Sequence, residues 1–381
     1  MSPTEKRLWP WIGGLGAAIA VIVTAVLLSR QASFPGDEGA LRVVAILPMT
    51  GPGASLGEYC NNGIQIARQE IARRHSGAIQ VEVEVVDSKN QPREAVTALQ
   101  STLARARPDA IISALSSISS AIVPIAEREG ILTVVTTTAL SGLPKGTRNV
   151  VRVYPTTQDF VEPIARHMRE HYRRVAVLYV HDDFGESNKN AFVQLLRNAG
   201  VTVTAAEPFE LTQTDSRTLV DRVLSGTPQA VFVTGYGPAF IGIFKRLREA
   251  NRDLPIFSEI GFGNPVVLDA LGADADGIVF DGTALELEQS RVHAVESFRS
   301  AYAERYHKPP YQVAGFAHDS LLAIAEAAYR SGGRRPDKAA VIALSPFQGA
   351  MGPIRFDSDG DSRIDLRLMV RQAGRTVLAA E

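Results

Sequence analysis

From Leu41 onward, strand-like and helix-like patterns alternate almost without pause, and the series runs through twice. Leu41–Leu47 (LRVVAIL) is a nearly unbroken apolar run of the kind a buried strand needs. Cys60, Ile64, Ala67 and Ile71 follow at i, i+4, i+7 and i+11, which places them on one face of a helix. Val81, Val83 and Val85 alternate with Glu82 and Glu84, a half-exposed strand. Ala95, Val96, Leu99 and Leu103 make the next helical face, and Ala110–Ala114, Ile131–Val135 and Val150–Val153 continue the strands. The pattern restarts at Arg174–Val180 (RVAVLYV), followed by a helix over Ala191–Ala199 that Gly200 closes. Val201–Thr204, Ala230–Thr234, Ile256–Ser258 and Gly277–Phe280 are further strands, and Val292–Tyr306 and Ala314–Tyr329 are long helices. Such alternation predicts an α/β protein with parallel sheets covered by helices on both faces. Two sheets imply a cleft between them, and open α/β sheets take ligands at the carboxyl ends of their strands.

The length of 381 residues suits two lobes of about 150 residues each plus a leader. A formal net charge of -1 lacks the basic footprint of a nucleic-acid binder, so no nucleic-acid partner is expected. The one cysteine, Cys60, excludes an intramolecular disulfide. Trp9 to Leu28 is an uncharged, mostly apolar run between Arg7 and Arg30, long enough to span roughly 30 Å of bilayer as a helix. Trp9 and Trp11 suit the headgroup zone at one end. No cysteine follows the run to carry an acyl anchor, and Arg30 spoils a small-x-small cleavage site before Ala32. These features favour an uncleaved transmembrane anchor over a signal peptide, with an N-terminal tip (1–8) inside, a linker (29–40) and an exported body. The alternative is a soluble periplasmic protein after cleavage.

Five segments, in order, carry a family resemblance: PMTGPGASLGEYCNNGIQIARQEI from Pro48, ALSSISSAIVPIAEREGILTVVTTTA, RRVAVLYVHDDFGES, VTGYGPAFIGIFKRLREA and FQGAMGPIRFDSDGD. Together they resemble the type I periplasmic binding proteins, in particular the branched-chain amino-acid (Leu/Ile/Val-binding) group of ABC importers. The resemblance implies two Rossmann-like lobes joined by three crossovers near Tyr154–Thr157, near Thr283–Glu286 and around Met351–Pro353. Lobe one is then 41–156 plus 286–351, and lobe two 157–285 plus 352–381. It also implies hinge closure on a small carboxylate-bearing solute, and ABC permease subunits as partners. An anchored sensor that signals to a membrane partner is the competing reading.

Ser116 and Ser117 follow the strand Ala110–Ala114 and precede a helix expected to start near Ser119 or Ser120. Free backbone N–H groups beside hydroxyls make an anion site there, although serines also simply cap helices. By resemblance Ser116 binds the ligand carboxylate and Thr137 offers its backbone to the same polar head. The family's second threonine is Ala139 here, a gap that Thr138 would have to fill. Leu56, Phe184 and Tyr236 match pocket-lining positions. The acidic partner of a ligand ammonium aligns with Ile260, one residue after Glu259. A one-residue shift on a strand end reverses the side chain, so an amine-free carboxylate or a small amide stays open beside an amino acid.

Other motifs do not build an active site, a cofactor site or a metal site. Gly53-Ala-Ser55-Leu-Gly57 has the G-x-S-x-G pattern of serine hydrolases, but Pro48 and Gly51-Pro52 intervene between strand and serine. Gly235-Tyr-Gly237 lacks the third glycine of a dinucleotide fingerprint, Phe240 standing in its place. His167 and His171 sit among Arg166, Arg169, Arg173 and Arg174, which oppose a metal. Asp357, Asp359 and Asp361 have their glycine too early for a calcium loop and read as a hairpin turn. The expected protein is a binding protein and not an enzyme, with no cofactor.

Overall fold

The computed structural model describes residues 40–288, 290–332 and 335–379. The apolar run Trp9–Leu28 lies outside them. Among the described residues no helix is long and apolar enough to cross a membrane.

The first half builds one parallel sheet. Its strands are β1 (Ala40–Leu47), β2 (Gln80–Asp87), β3 (Ala110–Ala114), β4 (Leu132–Thr136) and β5 (Val150–Arg152), in the order β2-β1-β3-β4-β5. Central β3 and β4 are buried throughout, whereas edge strand β2 keeps its glutamates toward water. That is why β2 alternates and the central strands do not. Helices α1 (Ala54–Arg74), α2 (Pro92–Arg105) and α3 (Ser116–Arg128) connect the strands.

After α4 (Thr157–His171) the chain lays down β6 (Arg174–Val180), β7 (Thr202–Phe209), β8 (Ala230–Thr234), β9 (Ile256–Ser258) and β10 (Val279–Gly282). They alternate with α5 (Asp183–Asn198), α6 (Arg217–Ser225), α7 (Gly237–Ala250) and α8 (Pro265–Leu271). The chain then returns to the first lobe through α9 (His293–Tyr306), α10 (Gln312–Arg330) and α11 (Lys338–Ile342). Residues Gln312–Ala325 of α10 are all buried, which accounts for its many alanines. α10 presses so closely on α1 that a Cβ on Gly63 would lie 1.9 Å from the Ala314 carbonyl oxygen. Only glycine fits there.

A small antiparallel sheet of β11 (Phe347–Gly349), β12 (Gly352–Phe356) and β13 (Ser362–Arg363) follows. It corrects the expected third crossover. The turn between β12 and β13 is bound to lobe one: Arg152 donates its N–H to the Gly360 carbonyl (2.8 Å), and Ser362 Oγ donates to the Tyr154 carbonyl (3.0 Å). The buried Arg152 guanidinium also pairs with Asp361 at 2.7 Å. The chain therefore crosses between Arg363 and Arg367, not at Met351–Pro353, because a buried ion pair holds the hairpin to β5. Beyond it, β14 (Arg367–Gln372) and β15 (Arg375–Leu378) complete a seven-stranded sheet in the order β15-β14-β10-β9-β8-β6-β7. β14 joins β10 antiparallel, so the second sheet is mixed at that edge rather than wholly parallel.

Candidate ligand-binding site

Strands β3 and β4 each end in a non-glycine residue forced into left-handed backbone: Leu115 at φ 75° and Thr137 at φ 48°. Such residues carry strain that the surroundings must hold. Here the Leu115 N–H donates to the Thr137 carbonyl at 3.1 Å. The kink turns the chain straight into α3, which starts at Ser116 and not near Ser119 or Ser120. Leu115 accepts the Ser119 N–H (2.9 Å) and closes the first turn. Helix geometry then leaves the N–H groups of Ser116, Ser117 and Ile118 without intrahelical acceptors, at the positive end of the helix dipole. Ser116 is buried, and its Oγ has no hydrogen-bond partner.

Leu56, Ser116, Thr137, Phe184, Tyr236 and Glu259 line one cavity of about 400 Å³, its open mouth included. Two residues of the sequence-derived set turn elsewhere. Ser117 Oγ accepts the Asp183 N–H at 3.3 Å, a contact from lobe one to lobe two. Thr138 is buried away from the cavity, donating to the Thr136 carbonyl (2.8 Å) and contacting Ser119 Oγ (2.9 Å). It does not fill the gap left by Ala139, whose carbonyl instead accepts the Thr157 N–H at the first crossing.

At the far end stands Glu259, the last residue before a short 3-10 turn (Ile260–Gly263). Its carboxylate accepts the N–H of Gly261 (2.6 Å) and of Gly235 (3.2 Å). Burial pushes the carboxyl up to about 7, against the pull of those two N–H groups. Ile260, which the alignment placed at the acidic position, is wholly buried in the hydrophobic core. Its carbonyl accepts the Tyr311 hydroxyl (3.3 Å). Glu259, and not Ile260, therefore lines the cavity.

Aromatic rings form the walls. Tyr236 donates its hydroxyl to Asp182 at 2.7 Å, and the Phe184 ring lies edge-on to Tyr236 with centroids 6.4 Å apart. Burial raises the Asp182 carboxyl above its ordinary range. Tyr154, Asp182, Tyr311, Val313 and Leu115 also line the cavity and were not singled out from the sequence. Asp182 was within reach of that reasoning, since it caps α5 in the same loop as Phe184 by accepting the Gly185 N–H (3.0 Å). Tyr311 comes from the distant start of α10, and no local pattern marks it.

The competing motifs have structural explanations. Ser55 lies within the first turn of α1 and does not line the cavity, and Gly57 is required because a Cβ would sit 2.2 Å from the Pro48 carbonyl oxygen. Asp357 Oδ1 accepts the N–H groups of Asp359 and Asp361, both at 3.0 Å, which holds a turn. Among the described residues no group of three His, Cys, Asp or Glu is arranged to hold a metal.

A family model described as periplasmic binding protein matches residues 40–375. The chain belongs to that family. Within it, the type I branched-chain amino-acid group is where its relatives fall. It is 23% identical over 368 residues to the Leu/Ile/Val-binding protein BraC3 of Rhizobium johnstonii, covering 94% of this chain and 98% of the relative. In fold it resembles the branched-chain amino-acid binding protein LivJ of Streptococcus pneumoniae, solved with isoleucine, at TM-score 0.78 and 22% identity (88% and 97% covered). A solute-binding protein of an R. palustris ABC transporter, solved with benzoate, superposes at TM-score 0.81 with 20% identity (89% and 95% covered). Members of the family bind solutes and are not enzymes, and the chain is a solute-binding protein.

Proposed function

We propose that the two lobes close on a small α-amino acid with an apolar side chain and present it to the membrane subunits of an ABC importer. The solute carboxylate meets the free N–H groups and the Ser116 hydroxyl at the start of α3, with the Thr137 backbone beside them. Its ammonium meets Glu259, and its side chain lies among Leu56, Tyr154, Phe184 and Tyr236. One observation carries the reading: a buried carboxylate with no cation beside it and an unpartnered buried hydroxyl at a helix start line the same cavity. An isolated buried charge is costly, so a solute bearing the complementary charge supplies the missing partner. The relatives described as binding leucine, isoleucine and valine support this choice.

A second reading has its own support. Four aromatic rings around a cavity whose acid titrates near neutrality also suit an amine-free aromatic acid, and one structural neighbour carries benzoate. Closure is the signal a partner reads, and the Ser117–Asp183 hydrogen bond is a direct contact between the lobes that such closure would use. We infer further that Trp9–Leu28 anchors the protein with its body outside the cytoplasm, where it serves either a permease or a signalling partner. A thermal-shift and calorimetric screen separates the solutes: leucine, isoleucine and valine are expected to stabilise the protein, benzoate and neutral amides to do so less. Stabilisation by benzoate alone would replace the first reading with the second.

A further inference from the structure

Glu259 does not stand alone. β9 and β10 run parallel with Phe257 beside Val279 and Ser258 beside Phe280. Glu259 follows Ser258 directly and Asp281 follows Phe280, so the two acids come from neighbouring strand ends. Asp281 is wholly buried, with no side-chain donor on its carboxylate and only its own N–H and that of Ile260 drawing the group back down. Glu286 follows at the second crossing, with one oxygen on the Thr283 N–H and hydroxyl (2.7 Å each) and the other unpartnered.

What faces this trio is mostly neutral. Tyr154 comes from the first crossing, Tyr311 and Gln312 from the start of α10, and Gln312 Oε1 is likewise unpartnered. α4 contributes His167, whose ring lies on Phe257 at 5.6 Å, and β14 contributes Arg367, which pairs with Asp365. Arg299 of α9 acts on Glu286 through its charge, but its guanidinium is bound to the carbonyls of Leu285, Leu287 and Glu288 and to Glu296. Two wholly buried carboxyls and a half-buried third, with no cation bonded to them, cannot all be ionised, because burial and each like charge favour the neutral acid. Burial raises Asp281 well above its ordinary range, the charge of Glu259 adding to it, and burial pushes Glu286 up to about 7.

We propose that this cluster holds a proton at Glu259 in the ligand-free protein and that an incoming ammonium displaces it, so the site exchanges a proton for the solute's positive charge. The step balances: the ammonium enters as a cation, the Glu259 carboxyl becomes carboxylate, one ion pair forms and one proton leaves to solvent. An amine-free acid has no such exchange and binds against the neutral Glu259. The cluster thereby determines, through pH, whether the cavity favours amine-bearing or amine-free solutes. This rests on the amino-acid reading above.

The test is calorimetry on the full chain with leucine and its amine-free analogue 4-methylpentanoate, in two buffers of different ionisation heat at about pH 5.5, 7 and 8.5. Leucine is expected to release up to about one proton, its affinity rising about tenfold per pH unit below about 7 and levelling above. The analogue releases none, and its affinity falls above about 7 as Glu259 ionises. Glu259→Gln should abolish proton release and flatten both profiles. Without any variant, the infrared C=O stretch of a protonated carboxyl should weaken when leucine is added and not when the analogue is added. Leucine binding with buffer-independent heat and flat affinity overturns the exchange while leaving the amino-acid reading intact. No leucine binding at any pH overturns both.

Discussion

Two buried groups of carboxylates solve the same electrostatic problem in opposite ways. At the back of lobe one, His318 lies between Glu70 (3.0 Å) and Asp319 (2.9 Å), with Arg74 on the outer side of Glu70. Asp319 also accepts the N–H groups of Ala350 (2.5 Å) and Met351 (3.0 Å), which ties α10 to the turn between β11 and β12. Burial alone would lower His318, but its bonds to Asp319 and Glu70 outweigh that and raise the imidazole to about 9. Burial would likewise raise Glu70, yet His318 and Arg74 bring it down to about 2. In the second group, Glu259 at the cavity and Asp281 and Glu286 beyond it have no such cation bonded to them, and burial drives their carboxyls upward. A cluster whose cation is built in stabilises the fold. A cluster whose cation is left out is what the proposed exchange with an ammonium calls for.

Removing the cation from the first cluster should have the largest effect. His318→Gln leaves the buried Asp319 carboxylate without a cation and is expected to destabilise by about 3–5 kcal/mol in denaturant melts at about pH 6. The pH dependence has a definite sign. A raised imidazole stabilises fully below its ordinary value of 6.5 and loses that contribution as pH rises through about 9. The depressed Glu70 stabilises above 4.5 and loses its part as pH falls through about 2. The gap between wild type and His318→Gln should therefore narrow by about pH 10; a constant gap would show that packing, not charge, explains the loss.

The second cluster should respond the other way. Asp281→Asn removes a carboxyl that folding strips of water without a partner, and is expected to raise stability by about 1–3 kcal/mol at about pH 8. The gain should vanish near pH 4, where the unfolded chain is also protonated. Destabilisation at pH 8 would mean that Asp281 has a cation partner after all. The third effect concerns the neutral end of the cavity. Ser116→Ala should weaken leucine binding by about 1–3 kcal/mol, through one hydrogen bond to a charged group. Unchanged affinity by calorimetry removes Ser116 from the site.

The contrast also marks what the chain discloses before it folds. Period-2 and period-3.6 patterns expose β2 and α1 directly, and the serines and threonines after β3 and β4 stand out because strand ends are where such sheets bind. Glu259 was harder, since a one-residue alignment shift decides which side chain faces the cavity. The 3-10 turn at Ile260 settles that orientation, and no sequence pattern announces it. Asp281 was invisible as a functional residue: its meaning lies in the register of β10 beside β9. Ser117 and Thr138 were overread because hydroxyl chemistry alone does not say which way a helical or kinked residue points. The third crossing was misplaced for a similar reason, its anchor being the ion pair of Arg152 with Asp361, far apart in the chain.

That late crossing has a consequence for assembly. β10 receives its outer neighbour β14 only after the chain has passed through three more helices and the small sheet of lobe one. During synthesis the second lobe therefore carries an open sheet edge until residues 367–372 have been made, and unpaired edges invite association between chains. Truncation just after Arg363 would leave the cavity residues in place yet expose that edge for good.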